Sequence, residues 1–212
     1  MNAHLIRLLP HVAVVVIAGA CVGGATLDGE TATPDRSDTS ALAGEAIIVG
    51  TDGLEQLPAR DGPPEETTNA VPHVQTSAVL VPEVYADLRR RAYSIPGIEE
   101  RESLLSLPGA RSLWLGGDLD LARPEVLQAG REFGHIHPDG SLHLWLPVDR
   151  AFEVAENGWG EFHPWVGRDD FWDGLVMVYT PKSAAQADVT IRLIVDAYNY
   201  ITGAEIDPGT IT

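Results

Sequence analysis

The stretch Glu132-Phe133-Gly134-His135-Ile136-His137-Pro138-Asp139-Gly140-Ser141-Leu142-His143-Leu144-Trp145-Leu146-Pro147 decides the reading of this chain. It is two runs of strand-forming residues around Pro138-Asp139-Gly140. Pro presets φ for the first position of a type I turn, Asp tolerates the second, and Gly takes the left-handed third position. A three-residue connection sets His137 opposite Ser141 and His135 opposite His143. Side chains alternate along a strand, so His135, His137, His143 and Trp145 share one face and Ile136, Leu142, Leu144 and Leu146 the other. A two-residue Asp139-Gly140 turn would slip the register by one and send His143 to the opposite face. The turn therefore decides whether a histidine cluster exists.

The rest of the chain is read outward from that hairpin. It has 212 residues, one Cys and a formal net charge of −17. That length suits one domain plus tails. The charge argues against a nucleic-acid partner, whose phosphates need Lys and Arg, and against an anionic lipid surface. The N-terminus reads as a targeting segment at 1–21: Arg7, then an apolar run from Leu8 to Ala20 that is short for a membrane span. It ends in Ala18-Gly19-Ala20-Cys21, which is similar to the lipobox of bacterial lipoproteins, with Ala18 in place of the usual Leu. Lipid on Cys21 would anchor an extracytoplasmic protein to a bacterial membrane. Residues 22–70, rich in Gly, Ala, Thr, Asp, Glu and Pro, read as a disordered acidic tether, with Ala46-Ile47-Ile48-Val49 as its one apolar spot.

The head is expected over 71–212. Pro82 to Tyr93 has helical spacing, while Ile98 to Leu107 is ambiguous. Ala110 to Leu115 reads as a strand, with Trp114 in the core. Asp149 is a plausible N-cap for a helix over Arg150 to Asn157 that Gly158 stops. Trp159 to Asp173 reads as an aromatic-rich loop. Leu175 to Thr180 suits a strand buried on both faces, ended by Pro181. Ser183 with Gln186 forms a capping box for a last helix ended by Gly203. Helices interleaved with an antiparallel hairpin make the class α+β: a single domain with a small, mostly antiparallel sheet and flanking helices.

From about Arg111 onward the chain resembles the luciferase-domain family, a set of mostly uncharacterised proteins. Four segments carry the resemblance: Ala110-Arg111-Ser112-Leu113-Trp114-Leu115-Gly116, the hairpin from Glu132 to Leu144, Gly158-Trp159-Gly160-Glu161-Phe162-His163-Pro164, and Val176-Met177-Val178-Tyr179-Thr180-Pro181. The His-x-His-Pro-x-Gly-Ser-x-His core is the most specific part. The family name implies light-emitting oxidation; no residue role is carried over from it.

The chemistry is read from the residues. Imidazoles two apart on a strand have Cβ atoms about 7 Å apart, and directly opposed ones about 4.5–5.5 Å. His135, His137 and His143 at that spacing could meet one zinc, iron or copper ion, since three protein nitrogens plus an open position is a common catalytic arrangement. They could equally act as acid/base groups, or simply hydrogen-bond to one another as core groups. His163 is a fourth candidate, with Glu161 to orient an imidazole. Trp145 and Trp159 are expected to contact an organic ligand, and Ser141 to take part from the turn. No Gly-x-Ser-x-Gly elbow, Walker A motif or dinucleotide fingerprint is present. Two classes follow. One is a small-molecule or metal site, of oxidative character, on the hairpin face. The other is a non-catalytic extracytoplasmic binding or structural module with hydrogen-bonded histidines.

Overall fold

The hairpin closes with the three-residue turn. The Gly140 N–H donates to the His137 carbonyl (3.0 Å) and the His137 N–H to the Ser141 carbonyl (2.8 Å). Gly140 sits at φ +87°, the left-handed position that glycine occupies without strain. His135 pairs with His143 and Ile136 with Leu142. The structure, a computed structural model, describes residues 54–212. Cys21, the targeting segment and Ala46 to Val49 lie outside the described residues.

The elements are α1 (Pro82–Ala92), β1 (Ile98–Glu102), β2 (Arg111–Leu115), β3 (Glu132–Ile136), β4 (Leu142–Trp145), α2 (Val148–Glu156), β5 (Gly160–Phe162), β6 (Leu175–Val178) and α3 (Ala184–Thr202). The strands form one antiparallel sheet in the order β1-β2-β3-β4-β6-β5. The fold is α+β as read from sequence. Ile136, Leu142, Leu144, Val176 and Val178 join Leu193, Ile194, Ala197 and Ile201 of α3 in a single apolar core. Burying one such side chain stabilises by about 1.5–3 kcal/mol. Among the described residues no helix is long and apolar enough to cross a membrane.

Local chemistry explains most elements. Ser183 Oγ accepts the Gln186 N–H at the start of α3, and Gly203 (φ +78°) ends it. α2 differs from expectation. It begins at Val148 behind Pro147, and Asp149 makes no capping bond but lies in the first turn, where its charge suits the helix dipole. β1 resolves the ambiguous Ile98–Leu107 segment: its Ile-Glu-Glu-Arg-Glu sequence leaves four of five residues exposed, as an edge strand permits. β5 lies inside the expected loop. Trp114 is half-buried rather than core, with the Arg101 guanidinium 4.5 Å above its ring.

Residues 54–70, assigned by composition to the tether, lie against the head. Leu57 is buried and its N–H donates to Glu153 Oε1 (2.5 Å). The Trp159 indole N–H donates to the Pro58 carbonyl (2.6 Å), and the Arg60 N–H to the Asn157 carbonyl (2.9 Å). The arm then doubles back, with Thr67 bridged to Gln75. Low apolar content hid this because backbone and polar anchors, more than apolar burial, hold the arm.

β5 carries a sharp packing constraint. Gly160 pairs with Val178, and a Cβ there would lie against the Met177 carbonyl, well inside contact distance, with Val154 Cγ1 at 3.0 Å. We expect Gly160→Ala to cost about 2–3 kcal/mol through strand separation. Urea unfolding checks this; a loss below 0.5 kcal/mol, the ordinary range of surface substitutions, would contradict it.

Candidate functional site

Register and one irregularity assemble the site. Leu113 pairs with Gly134 but Trp114 pairs with Glu132, so Phe133 is the extra residue of a β-bulge. The bulge resets the alternation. Phe133 joins the core and meets Tyr198 of α3 edge-on at 6.4 Å, while Glu132 bonds to His135. Gly134 permits this approach, since a Cβ there would lie 2.6 Å from Leu144 Cδ2 and 2.8 Å from the His143 carbonyl oxygen.

Five side chains form a continuous chain, buried except at Glu161, which is about one-third exposed. Glu132 Oε1 meets His135 Nδ1 at 2.8 Å, and His135 Nε2 meets His143 Nδ1 at 3.0 Å. His143 Nε2 meets His73 Nδ1 at 3.1 Å, and His73 Nε2 meets Glu161 Oε1 at 2.8 Å. Both carboxylates are held from outside. Glu132 accepts from Ser103 Oγ (2.6 Å) and the Leu104 N–H (2.8 Å). Glu161 accepts from Thr67 Oγ1 (2.5 Å) and the Tyr179 hydroxyl (3.2 Å). His137 stands beside the chain, its ring centroid 4.8 Å from that of His143 and 5.1 Å from that of His135. Its Nδ1 bonds to Ser141 Oγ (2.8 Å), which donates to Asp139 Oδ1 (2.7 Å). His163, just after β5, completes the cluster at 4.8 Å from the His143 ring.

Electrostatics follow from burial. His137 is depressed to about 3, first by desolvation and then by His135, His73 and His163. His163 falls to about 4 for the same kind of reason, and His143 lies well below the usual imidazole range. These three are neutral at pH 7. Burial by itself would raise the Glu132 carboxyl, but bonds from His135, Ser103 and the Leu104 N–H together outweigh it and hold the group below the ordinary carboxylate range. Burial, and then the Glu161 carboxylate, push Tyr179 up to about 12.

A cavity of about 200 Å³ opens on this cluster. His73, His135, His143 and His163 form its polar side; Trp145, Trp165, Phe171, Leu175, Leu105, Leu107, Val71 and Pro72 form most of the rest. Trp145 lies where the register sends it, 6.0 Å from the His135 ring, with its indole N–H on Gln128 Oε1. Trp165 meets His163 edge-on (4.9 Å) and Phe171 at a tilt (4.4 Å). Of the expected site residues, His135, His143, His163 and Trp145 line the cavity, Glu161 reaches it through His73, and Ser141 with His137 lies behind it. Trp159 is elsewhere, packed in the core under the arm. Sequence reasoning missed His73, which sits 70 positions before its partner, and Glu132, whose strand parity pointed it away. Its spacing from His135 carried no signal; the only hint was Gly134 in a strand.

Two groups of three histidines each offer one nitrogen within 4.8 Å of the others: His135, His137, His143 and His73, His143, His163. Imidazole donors of this kind suit zinc, iron or copper.

Comparison with known proteins agrees with the family resemblance. Residues 130–197 match the family model described as the luciferase domain. Among curated proteins the chain is similar to "Luciferase" of Armillaria mellea, at 28% identity over 171 residues, covering 70% of this chain and 62% of the relative. It is also similar to "Luciferase" of Armillaria ostoyae, at 28% identity over 181 residues, covering 74% of this chain and 65% of the relative. The chain thus spans just under two thirds of the length of these relatives. No solved structure matches.

Proposed function

We propose that the head is an oxidising enzyme acting on a small, largely apolar organic molecule bound in the histidine-floored cavity. One observation carries this reading. Buried imidazoles, His143 and His163 among them held neutral, form the polar side of a cavity whose remaining walls are mostly aromatic and aliphatic. A few convergent polar groups in an apolar pocket orient an organic ligand, and perturbed titratable groups in such a place mark chemistry. Val71 and Leu107 reach from the cavity to its mouth and are about half exposed, which suits an apolar entrant.

His163 takes the Trp165 N–H on Nδ1 (3.1 Å), so its proton sits on Nε2 and the ring serves as a donor to a substrate oxygen. Lying 4.8 Å from the His143 ring, that donor can meet negative charge developing on the substrate. The name luciferase, borne by the Armillaria proteins, denotes light-emitting oxidation and favours oxidative over hydrolytic chemistry here. For this chain the proposal extends to oxidation by molecular oxygen of a compound with an acidic C–H or O–H.

The test is oxygen uptake by the full chain with a panel of enolisable and phenolic compounds, beside a His135→Ala/His143→Ala variant. Uptake with at least one compound, reduced at least 100-fold in the variant, is expected. Equal rates in both proteins, or no uptake and no quenching of tryptophan fluorescence by any compound, would overturn the reading. The competing non-catalytic module rests on the low exposure of these histidines, 2–6%. It predicts a large drop in melting temperature for the double variant and no ligand effect. We also propose export and anchoring through lipid on Cys21; labelled palmitate should enter the wild type and not Cys21→Ser.

A further inference from the structure

The outer partners of the histidine cluster determine where its protons lie. Glu132 already accepts from Ser103 and the Leu104 N–H, so the proton in its contact with His135 is on Nδ1, which leaves Nε2 as the lone-pair nitrogen of the neutral ring. Ser141 Oγ gives its proton to Asp139, so it accepts from His137 Nδ1, and His137 Nε2 also carries a lone pair. Glu161 accepts from Thr67 and Tyr179, which puts the His73 proton on Nε2 and a lone pair on Nδ1. That lone pair faces His143 Nε2 at 3.1 Å, so Nε2 holds the single proton of neutral His143 and Nδ1 is bare.

One contact calls for a cation. Bare His143 Nδ1 faces His135 Nε2 at 3.0 Å in a buried place. Two lone pairs at that distance repel, and a shared cation, a proton or a metal ion, turns the contact attractive. His137 brings a third imidazole to the same place, with one ring nitrogen from each of the three residues within 4.8 Å of the others. We propose that His135 Nε2, His137 Nε2 and His143 Nδ1 bind one divalent first-row transition-metal ion. Each ligand's remaining N–H runs to an acceptor that ends in a carboxylate: Glu132 directly, Asp139 through Ser141, and Glu161 through His73. Outer partners of this kind orient metal-bound imidazoles and raise their basicity. Bonds of about 2.0–2.1 Å in a tetrahedral site require nitrogens about 3.4 Å apart, so the His135–His143 pair, at 3.0 Å, opens slightly as the three rings gather on one ion. The second trio does not serve. His163 Nδ1 accepts the Trp165 N–H and the neutral ring's proton sits on Nε2, so no bare nitrogen is left for a metal.

The inference shares its histidine face with the functional reading, but its test needs no substrate. The full 212-residue chain, without an affinity tag, is stripped with chelator and titrated with cobalt(II) and then zinc(II). One equivalent of cobalt with visible ligand-field bands, displaced by zinc, is expected. His137→Ala should weaken binding more than 100-fold. Ser141→Ala, which frees the His137 ring without removing a ligand, should weaken it about 10–100-fold with unchanged circular dichroism. His163→Ala should stay within twofold of wild type. Absence of cobalt binding at 100 μM, binding unaffected by His137→Ala, or equal losses in His163→Ala and His137→Ala would each overturn the proposal. A negative titration beside positive oxygen uptake would remove the metal and leave the oxidising-enzyme reading intact.

Discussion

The metal-free domain is expected to lose most of its stability between pH 6.5 and pH 4.5. His137 and His163 titrate at about 3 and about 4 in the fold, and His143 well below the ordinary 6.5. Once unfolded, each regains an ordinary value. Between the folded and unfolded values the unfolded chain binds more protons, so stability falls as pH falls. At pH 5 His137 and His163 each favour unfolding by about 2 kcal/mol, and His143 acts in the same direction. That approaches the whole stability of an ordinary domain. Glu132 acts in the same direction: its lowered carboxyl stabilises above the ordinary 4.5 and ceases to do so as pH falls through its folded value. Melting temperature measured every half unit from pH 7.5 to 4.5 in chelator should fall steeply below 6.5. A flat profile to pH 5 would mean that the rings protonate within the fold and that the cluster is far wetter than its packing implies.

Arg150→Ala is expected to be the most damaging single change far from the histidines. Arg150 is 1% exposed and bridges three parts of the chain. Its Nε lies 3.0 Å from Asp196 Oδ2 on α3, its guanidinium pairs with Glu153 on α2, and Nη2 donates to the Glu55 carbonyl in the arm (2.9 Å). Removing it takes the guanidinium away from the buried Asp196 carboxylate, from Glu153 and from the Glu55 carbonyl at once, at a cost of about 3–5 kcal/mol. In a domain of this size that lowers the melting temperature by about 6–20 °C. The double change Arg150→Met/Asp196→Leu removes both charges while keeping apolar bulk, and should recover at least half of the loss. Urea unfolding of both variants decides the matter: equal losses would mean that packing volume, not the ion pair with Asp196, is what Arg150 supplies.

The hairpin register was legible because it rests on local rules. A Pro-Asp-Gly turn has one favoured geometry, and strand alternation then sends His135, His143 and Trp145 to one side. The start of α3 was legible for the same reason, since Ser183 and Gln186 are one turn apart. β1 was not: an edge strand of Glu and Arg has no apolar alternation to read. β5 was too short at three residues to show a period. Glu132 was misdirected by strict alternation, because a bulge at Phe133 depends on how β2 lies beside β3. Trp159 was read as a ligand contact from its aromatic neighbourhood, yet Pro58, about 100 residues away, takes its indole N–H.

By itself the sequence determined the turn, and with it the shared face of three histidines, because those choices are made by backbone torsions of adjacent residues. Only the tertiary structure decided what that face is made of. The arm brings in His73, the bulge brings in Glu132, and β5 brings in Glu161 and His163. Each arrives through packing and hydrogen bonds between distant segments. Burial by those segments holds His137, His143 and His163 neutral, and the outer hydrogen bonds of the cluster orient its rings.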